Sequence, residues 1–173
     1  MSEPSSVHGH RRAAPDRVPT VVITVSDSRT PETDTGGALL VELLERANHP
    51  VVERRIVPDA IEAIQDAVRS ALDRVEVGAV LLTGGTGIAA RDVTPEALEP
   101  LFDRQIPGFG ELFRMLSHTE IGPAAMLSRA VAGTARGKFV AGLPGSRAAI
   151  RLALEQLVLP ELGHLTAEAA KGR

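Results

Sequence analysis

Three short apolar strand runs stand in the first half of the chain, the first two each followed by apolar residues at helical spacing, and no other feature of its 173 residues restricts the fold as much. The first run, Val18 to Val25, carries Val18, Val21, Val22, Ile23 and Val25 without clean alternation, as a strand buried on both faces does. It ends at Ser26-Asp27-Ser28. After a polar loop, Asp34 or Thr35 can cap a helix bearing Leu39, Leu40, Leu43, Leu44 and Ala47. Val51 to Val57 repeats the strand and ends at Pro58-Asp59, and the next helix sets Ile61, Ile64, Val68, Leu72 and Val75 on one stripe. Gly78 to Thr83 gives the third strand, which runs straight into Gly84-Gly85-Thr86-Gly87. Such alternation joins parallel strands by right-handed crossovers and covers both faces of the sheet with helices.

The second half is less regular. Thr94 to Phe102 predicts a short helix with Thr94 as cap and Pro95 in its first turn, and Phe109, Leu112, Phe113 and Leu116 predict another. Arg129 to Thr134 and Lys138 to Leu143 flank Ala135-Arg136-Gly137 as paired strands. A last helix is expected from about Ser146 to Val158, carrying Ile150, Ala153, Leu154 and Leu157. One domain is expected over 18–165. It lies between a disordered N-terminal tail at 1–17, which does not read as a signal peptide, and a C-terminal tail at 166–173.

Composition narrows function by what it lacks. Without cysteine there is no disulfide, thiolate metal site or cysteine nucleophile, and a reducing cytoplasm fits. Four Phe, with no Tyr or Trp, supply no stacking platform for single strands, and a net charge of −3 gives no nucleic-acid footprint. No apolar run approaches the roughly 20 residues of a membrane span. His8, His10, His49, His118 and His164 are scattered and form no metal motif, and no Gly-x-Ser-x-Gly elbow occurs.

In an open parallel sheet, ligands collect beyond the carboxyl ends of the strands. Four segments fall there: Ser26-Asp27-Ser28, Pro58-Asp59, the loop 84–92 and Leu143-Pro144-Gly145-Ser146. Gly84-Gly85-Thr86-Gly87 lets backbone N–H groups approach an anion, with the Thr86 hydroxyl beside them; a plain tight turn is the other reading. It is not a Walker A loop. As Gly85-x-Gly87-x-x-Ala90 it matches a dinucleotide fingerprint only loosely, because it follows the third strand rather than the first. Asp59 and Asp92 each follow a strand and could flank a magnesium triphosphate. Asp59 could equally cap a helix, and Asp92 close a turn. Pro144-Gly145-Ser146 could offer helix amides to a phosphate, or only a turn and a cap. Arg91, Lys138 and Arg147 could neutralise phosphate charge.

Seven segments in order resemble the molybdopterin-binding family that includes bacterial MoaB and MogA and the gephyrin G domain. They are Thr24-Val25-Ser26-Asp27, Asp34-Thr35-Gly36-Gly37, Ile56-Val57-Pro58-Asp59, Leu82-Thr83-Gly84-Gly85-Thr86-Gly87, Arg91-Asp92-Val93-Thr94-Pro95-Glu96-Ala97, Pro107-Gly108-Phe109-Gly110-Glu111 and Leu143-Pro144-Gly145-Ser146. Phe113-Arg114-Met115-Leu116-Ser117 and Ser128-Arg129-Ala130-Val131-Ala132-Gly133 resemble the MoaB branch. The resemblance implies a three-layer α/β/α sandwich with a mostly parallel sheet over 18–165, assembled as a homo-trimer or hexamer. It implies adenylylation of molybdopterin with ATP and Mg2+, releasing pyrophosphate, with other molybdenum-cofactor enzymes as further partners. It makes Asp59 and Asp92 the catalytic, magnesium-associated acids. Gly84, Gly85, Thr86, Gly87 and Thr94 fall to the nucleotide phosphates, and Ser26, Asp27, Asp34, Pro144, Gly145 and Ser146 to the pterin. Two other readings stand beside it. A non-catalytic pterin-binding oligomer of the MoaB branch would bind without turnover, and a nucleotide pyrophosphate hydrolase of related fold would cleave nucleotides without pterin. A Rossmann dehydrogenase, which would bind NAD, ranks behind both.

Overall fold

The structure, a computed structural model, describes residues 14–171. Positions 1–13 of the expected N-terminal tail and the last two residues lie outside the described residues. The elements in chain order are β1 (Thr20–Val25), α1 (Thr35–Arg46), β2 (Val51–Val57), α2 (Ile61–Leu72), β3 (Ala79–Thr83), α3 (Thr94–Leu98), β4 (Arg104–Gln105), α4 (Pro107–Ile121), β5 (Val131–Ala135), β6 (Lys138–Leu143), α5 (Arg147–Ala153) and α6 (Leu162–Ala170). Six strands form one sheet in the order β2-β1-β3-β6-β5-β4. The first four run parallel, and β5 and β4 each pair antiparallel with the strand before them.

The pleat explains why the strands carry so little polar alternation. Alternate residues of β1 and β3 enter different layers: Val22, Ala79 and Leu81 meet α1, α4, α5 and α6, whereas Val21, Ile23, Val80 and Leu82 meet α2 and α3. In β6, Phe139, Ala141 and Leu143 take the first layer and Val140 the second. Both faces are therefore apolar and both are covered, giving the expected three-layer α/β/α sandwich.

Three local expectations differ from the structure. Helix α2 stops at Leu72, and the turn closed by the Val77 amide on the Arg74 carbonyl swings Val75 into solvent at 97% exposure. Thr94 begins α3 without capping it, because its hydroxyl donates to the Gly84 carbonyl instead. The expected C-terminal tail from 166 is helical as far as Ala170. After α5 and one π-helical turn (Leu154–Val158), α6 buries Leu162, and the Thr166 hydroxyl bonds back to the Leu162 carbonyl at 3.0 Å. Too few large apolar residues lie in α6 to show its inner face in sequence.

His49 sits in the turn before β2, 6% exposed, and its Nδ1 accepts the Val18 amide at 3.1 Å. Burial holds its pKa below the ordinary value. The unfolded chain therefore takes up a proton first as pH falls below about 6.5, and stability declines until the folded imidazole also titrates. Urea unfolding between pH 7 and 5 should show a shallower decline in His49→Asn, which keeps an acceptor near Val18 but cannot titrate. Equal slopes would remove His49 from the acid sensitivity.

Candidate functional site

The four parallel strands all end at the same edge of the sheet, and hydrogen bonds join the segments beyond them into one rim. Between β1 and β2, the Ser26 amide donates to the Val57 carbonyl at 2.8 Å. The Asp27 amide then donates to Asp59 Oδ2, and the Asp59 amide to Asp27 Oδ1, each at 3.0 Å. Between β3 and β6, the Gly84 amide donates to the Leu143 carbonyl and the Thr83 hydroxyl to the Pro144 carbonyl, each at 3.0 Å. Ser26, Asp27, Asp59, Gly84 and Pro144 thus share one continuous shelf.

The glycine turn owes its residues to sterics. Gly84 has φ of +104°, and a Cβ there would stand 2.3 Å from the Val25 carbonyl oxygen; Gly85 has φ of +63°, and a Cβ would press on the Thr94 hydroxyl at 2.5 Å. Thr94, fully buried, holds the turn from beneath. Its hydroxyl donates to the Gly84 carbonyl at 2.8 Å and its amide to the Gly85 carbonyl at 3.0 Å. Its one hydroxyl proton is therefore used inside the protein. Thr86 is also buried, at 3% exposure.

Asp59 does not cap α2; that position belongs to Ala60, which makes no side-chain capping bond. Its Oδ1 lies across from Gly85, where a Cβ would be 3.4 Å away. Burial pushes the Asp59 carboxyl up. The Asp27 amide opposes the rise, the Asp27 and Asp92 charges add to it, and Arg91 offsets part of it. Asp92 does close a turn, with Oδ2 accepting the Ala89 amide at 2.9 Å. It also lies beside Gly87, where a Cβ would sit 2.7 Å from that oxygen.

Two cavities adjoin the shelf. One of about 600 Å³ is bounded by Ser26, Asp27, Arg29, Thr30, Arg54 and Pro58. A smaller one of about 160 Å³ lies among Ser26, Arg29, Thr35, Gly36, Gly84 and Gly145. Asp59 and Asp92 line neither; they stand on the open rim beside the glycine turn. Among the described residues no three His, Cys, Asp or Glu side chains are grouped to hold a metal. A magnesium ion here would rest on one or two carboxylates, with water and phosphate oxygens completing its shell, which suits that ion.

Not every expected residue offers free groups. Asp34 is 3% exposed, and its carboxylate accepts the Thr24 hydroxyl at 2.7 Å, the Gly37 amide at 2.8 Å and Arg54 Nη2 at 2.8 Å. Burial raises its pKa, but the Arg54, Gly37 and Thr24 hydrogen bonds and the Arg54 charge together hold the carboxyl below its ordinary value. Ser146 caps α5 by accepting the Ala149 amide at 3.2 Å. Lys138 opens β6 and so sits at the far end of the strand, with its ammonium on the Arg74 carbonyl. Arg147 stays near the shelf, donating to the Thr35 carbonyl at 3.0 Å. Sequence reasoning overlooked Arg29, which borders both cavities and follows Ser26-Asp27-Ser28 directly. Its position in that strand-end segment was the available signal.

Fold and rim together define an α/β/α ligand-binding domain whose site is built from loops at the carboxyl edge of a parallel sheet. Residues 21–164 match the family model described as "Probable molybdopterin binding domain". The chain belongs to this family of molybdenum cofactor biosynthesis proteins. It is 52% identical over 164 residues to the molybdenum cofactor biosynthesis protein B of Bacillus cereus, covering 94% of this chain and 97% of that one. A crystal structure of a molybdenum cofactor biosynthesis protein B aligns with a TM-score of 0.87 at 53% identity, over 90% of this chain and 98% of that one. The tungsten cofactor synthesizing protein MoaB from Pyrococcus furiosus aligns with a TM-score of 0.78 at 37% identity, over 91% and 100%.

Proposed function

We propose that the chain binds molybdopterin and adenylylates its terminal phosphate with ATP and Mg2+, releasing pyrophosphate. The observation that carries this reading is the placement of Asp59 beside Gly85 and Asp92 beside Gly87, in a glycine turn whose Gly85, Thr86 and Gly87 amides donate to no other described residue. The cavities beside Ser26 and Arg29 supply the neighbouring space for the pterin and its phosphate, with Gly145 at the border of the smaller one.

Chemistry at this site needs no covalent intermediate. The molybdopterin phosphate attacks the α-phosphorus of ATP, and pyrophosphate departs. Mg2+ would spread the charge that grows on the phosphate oxygens. The amides of 85–87 would hold the triphosphate in line, Asp59 and Asp92 would hold the cation, and Arg29 and Arg91 would offset the remaining negative charge. The copies of a trimer or hexamer would meet through the exposed Leu112, Met115, Ile121, Met126 and Leu127 of α4 and the 3-10 segment after it.

Purified protein given molybdopterin, ATP and Mg2+ should form adenylylated molybdopterin and pyrophosphate, and chelating the magnesium should stop both. Tight pterin binding without product would favour the non-catalytic reading. Nucleotide cleavage without pterin would favour a pyrophosphatase.

A further inference from the structure

We propose that Arg129, between α4 and β5, sets the polarity of the glycine-rich loop and thereby positions the nucleotide phosphates. This rests on the reading of that loop as the nucleotide site. Three hydrogen bonds reach the loop from this one residue, and a fourth reaches α3. The Arg129 amide donates to the Thr86 carbonyl at 2.9 Å and Nε to the Gly87 carbonyl at 2.7 Å. Nη2 donates to the Asp92 carbonyl, and Nη1 is paired with Glu96 on α3. The Arg129 hydrogen bond in turn holds the Glu96 carboxyl below its ordinary value.

A trans peptide is planar, so a carbonyl and the N–H of the next residue point in opposite directions. Drawing the Thr86, Gly87 and Asp92 carbonyls toward Arg129 therefore turns the amides of Gly87, Ile88 and Val93 to the other side. None of these three amides donates to another described residue. They are left for water or a ligand. Carbonyl oxygens facing a triphosphate would repel it; here they are gathered behind the loop and neutralised by a guanidinium. Only arginine presents the planar fork needed to hold two carbonyls and a carboxylate together, and lysine offers a point charge. Arg129 touches none of the reacting atoms, so it is a positioning residue.

The test compares the unsubstituted protein with Arg129→Met, Arg129→Lys and Glu96→Gln by calorimetric binding of MgATP and of molybdopterin, and by amide exchange across 84–93. Arg129→Met should bind MgATP about tenfold more weakly or worse while molybdopterin affinity stays within about twofold. Its loop amides should exchange faster. Arg129→Lys should recover only part of the loss, and Glu96→Gln, which keeps the three carbonyl contacts, should lose less than Arg129→Met. Undiminished MgATP affinity in Arg129→Met would overturn the proposal. An equal loss of both ligands with loop exchange unchanged would also overturn it, since general packing would then account for the effect. If the unsubstituted protein takes up no MgATP, the nucleotide reading itself falls, whereas equal uptake by both proteins sinks only the role of Arg129.

Discussion

Under the proposed adenylyl transfer, Asp92→Asn should lower turnover by about 10²–10³-fold and leave the fold intact, because a fixed charge would be lost where charge develops in the transition state. Asparagine retains an oxygen to accept the Ala89 amide, so the turn that Asp92 closes survives. Asp92→Ala removes that bond as well, which costs only about 1 kcal/mol. The two variants should therefore be almost equally inactive, differing slightly in stability. Steady-state pyrophosphate release alongside thermal melting separates the effects. Activity in Asp92→Asn within threefold of the unsubstituted protein would show that the charge is not needed, and would remove Asp92 from the chemistry.

The second large effect concerns folding. Asp34→Ala removes the N-cap of α1, typically worth about 1 kcal/mol. It also strands Arg54, whose Nη2 reaches both the Asp34 carboxylate and the Asp34 carbonyl. Breaking a fully buried pair costs about 3–5 kcal/mol. With the Arg54 side chain 29% exposed, solvent takes up part of this, leaving a total of about 2–4 kcal/mol. For a domain of this size that lowers Tm by on the order of 10 °C. Since the folded pKa of Asp34 is depressed, its contribution is present above the ordinary carboxyl range and fades as pH falls through the folded value. Thermal melts at pH 7 and pH 3 should therefore differ less in Asp34→Ala than in the unsubstituted protein. A fully stable variant with weakened pterin binding would instead make Asp34, which lines the smaller cavity, a substrate contact.

These two aspartates mark how far the sequence could be read. The place of Asp92 at the sheet edge was legible because it depends on topology: Asp92 follows a strand run, and the ends of parallel strands share an edge. The sandwich was legible for a related reason, since Val21-Val22-Ile23 has no polar alternation to give either face to water. Asp34 was legible as a cap, but its carboxylate is also taken up by Arg54, twenty residues away on the edge strand. No local pattern announces that pairing. The same holds for Thr94, whose hydroxyl turns away from its own helix to a carbonyl ten residues earlier. Arg129 lies in the Ser128–Gly133 segment that resembles the MoaB branch, but nothing in that segment announces its bonds to a loop some forty residues earlier.

The splitting of each strand between two layers also governs where the chain tolerates a change of length. Because Val21 and Val22 belong to opposite layers, one residue gained or lost inside a strand would exchange every side chain beyond it between faces. Insertions must then fall in the connections. Those at the carboxyl edge are tied together by the Asp27–Asp59 and Arg129 hydrogen bonds, so lengthening one disturbs its neighbours. The turns entering β2, β3 and β6 lie at the opposite edge, away from those ties. They carry ties of their own, since His49 Nδ1 accepts the Val18 amide, Arg136 pairs with Asp73 and Lys138 reaches the Arg74 carbonyl, so a change of length there also disturbs a neighbour.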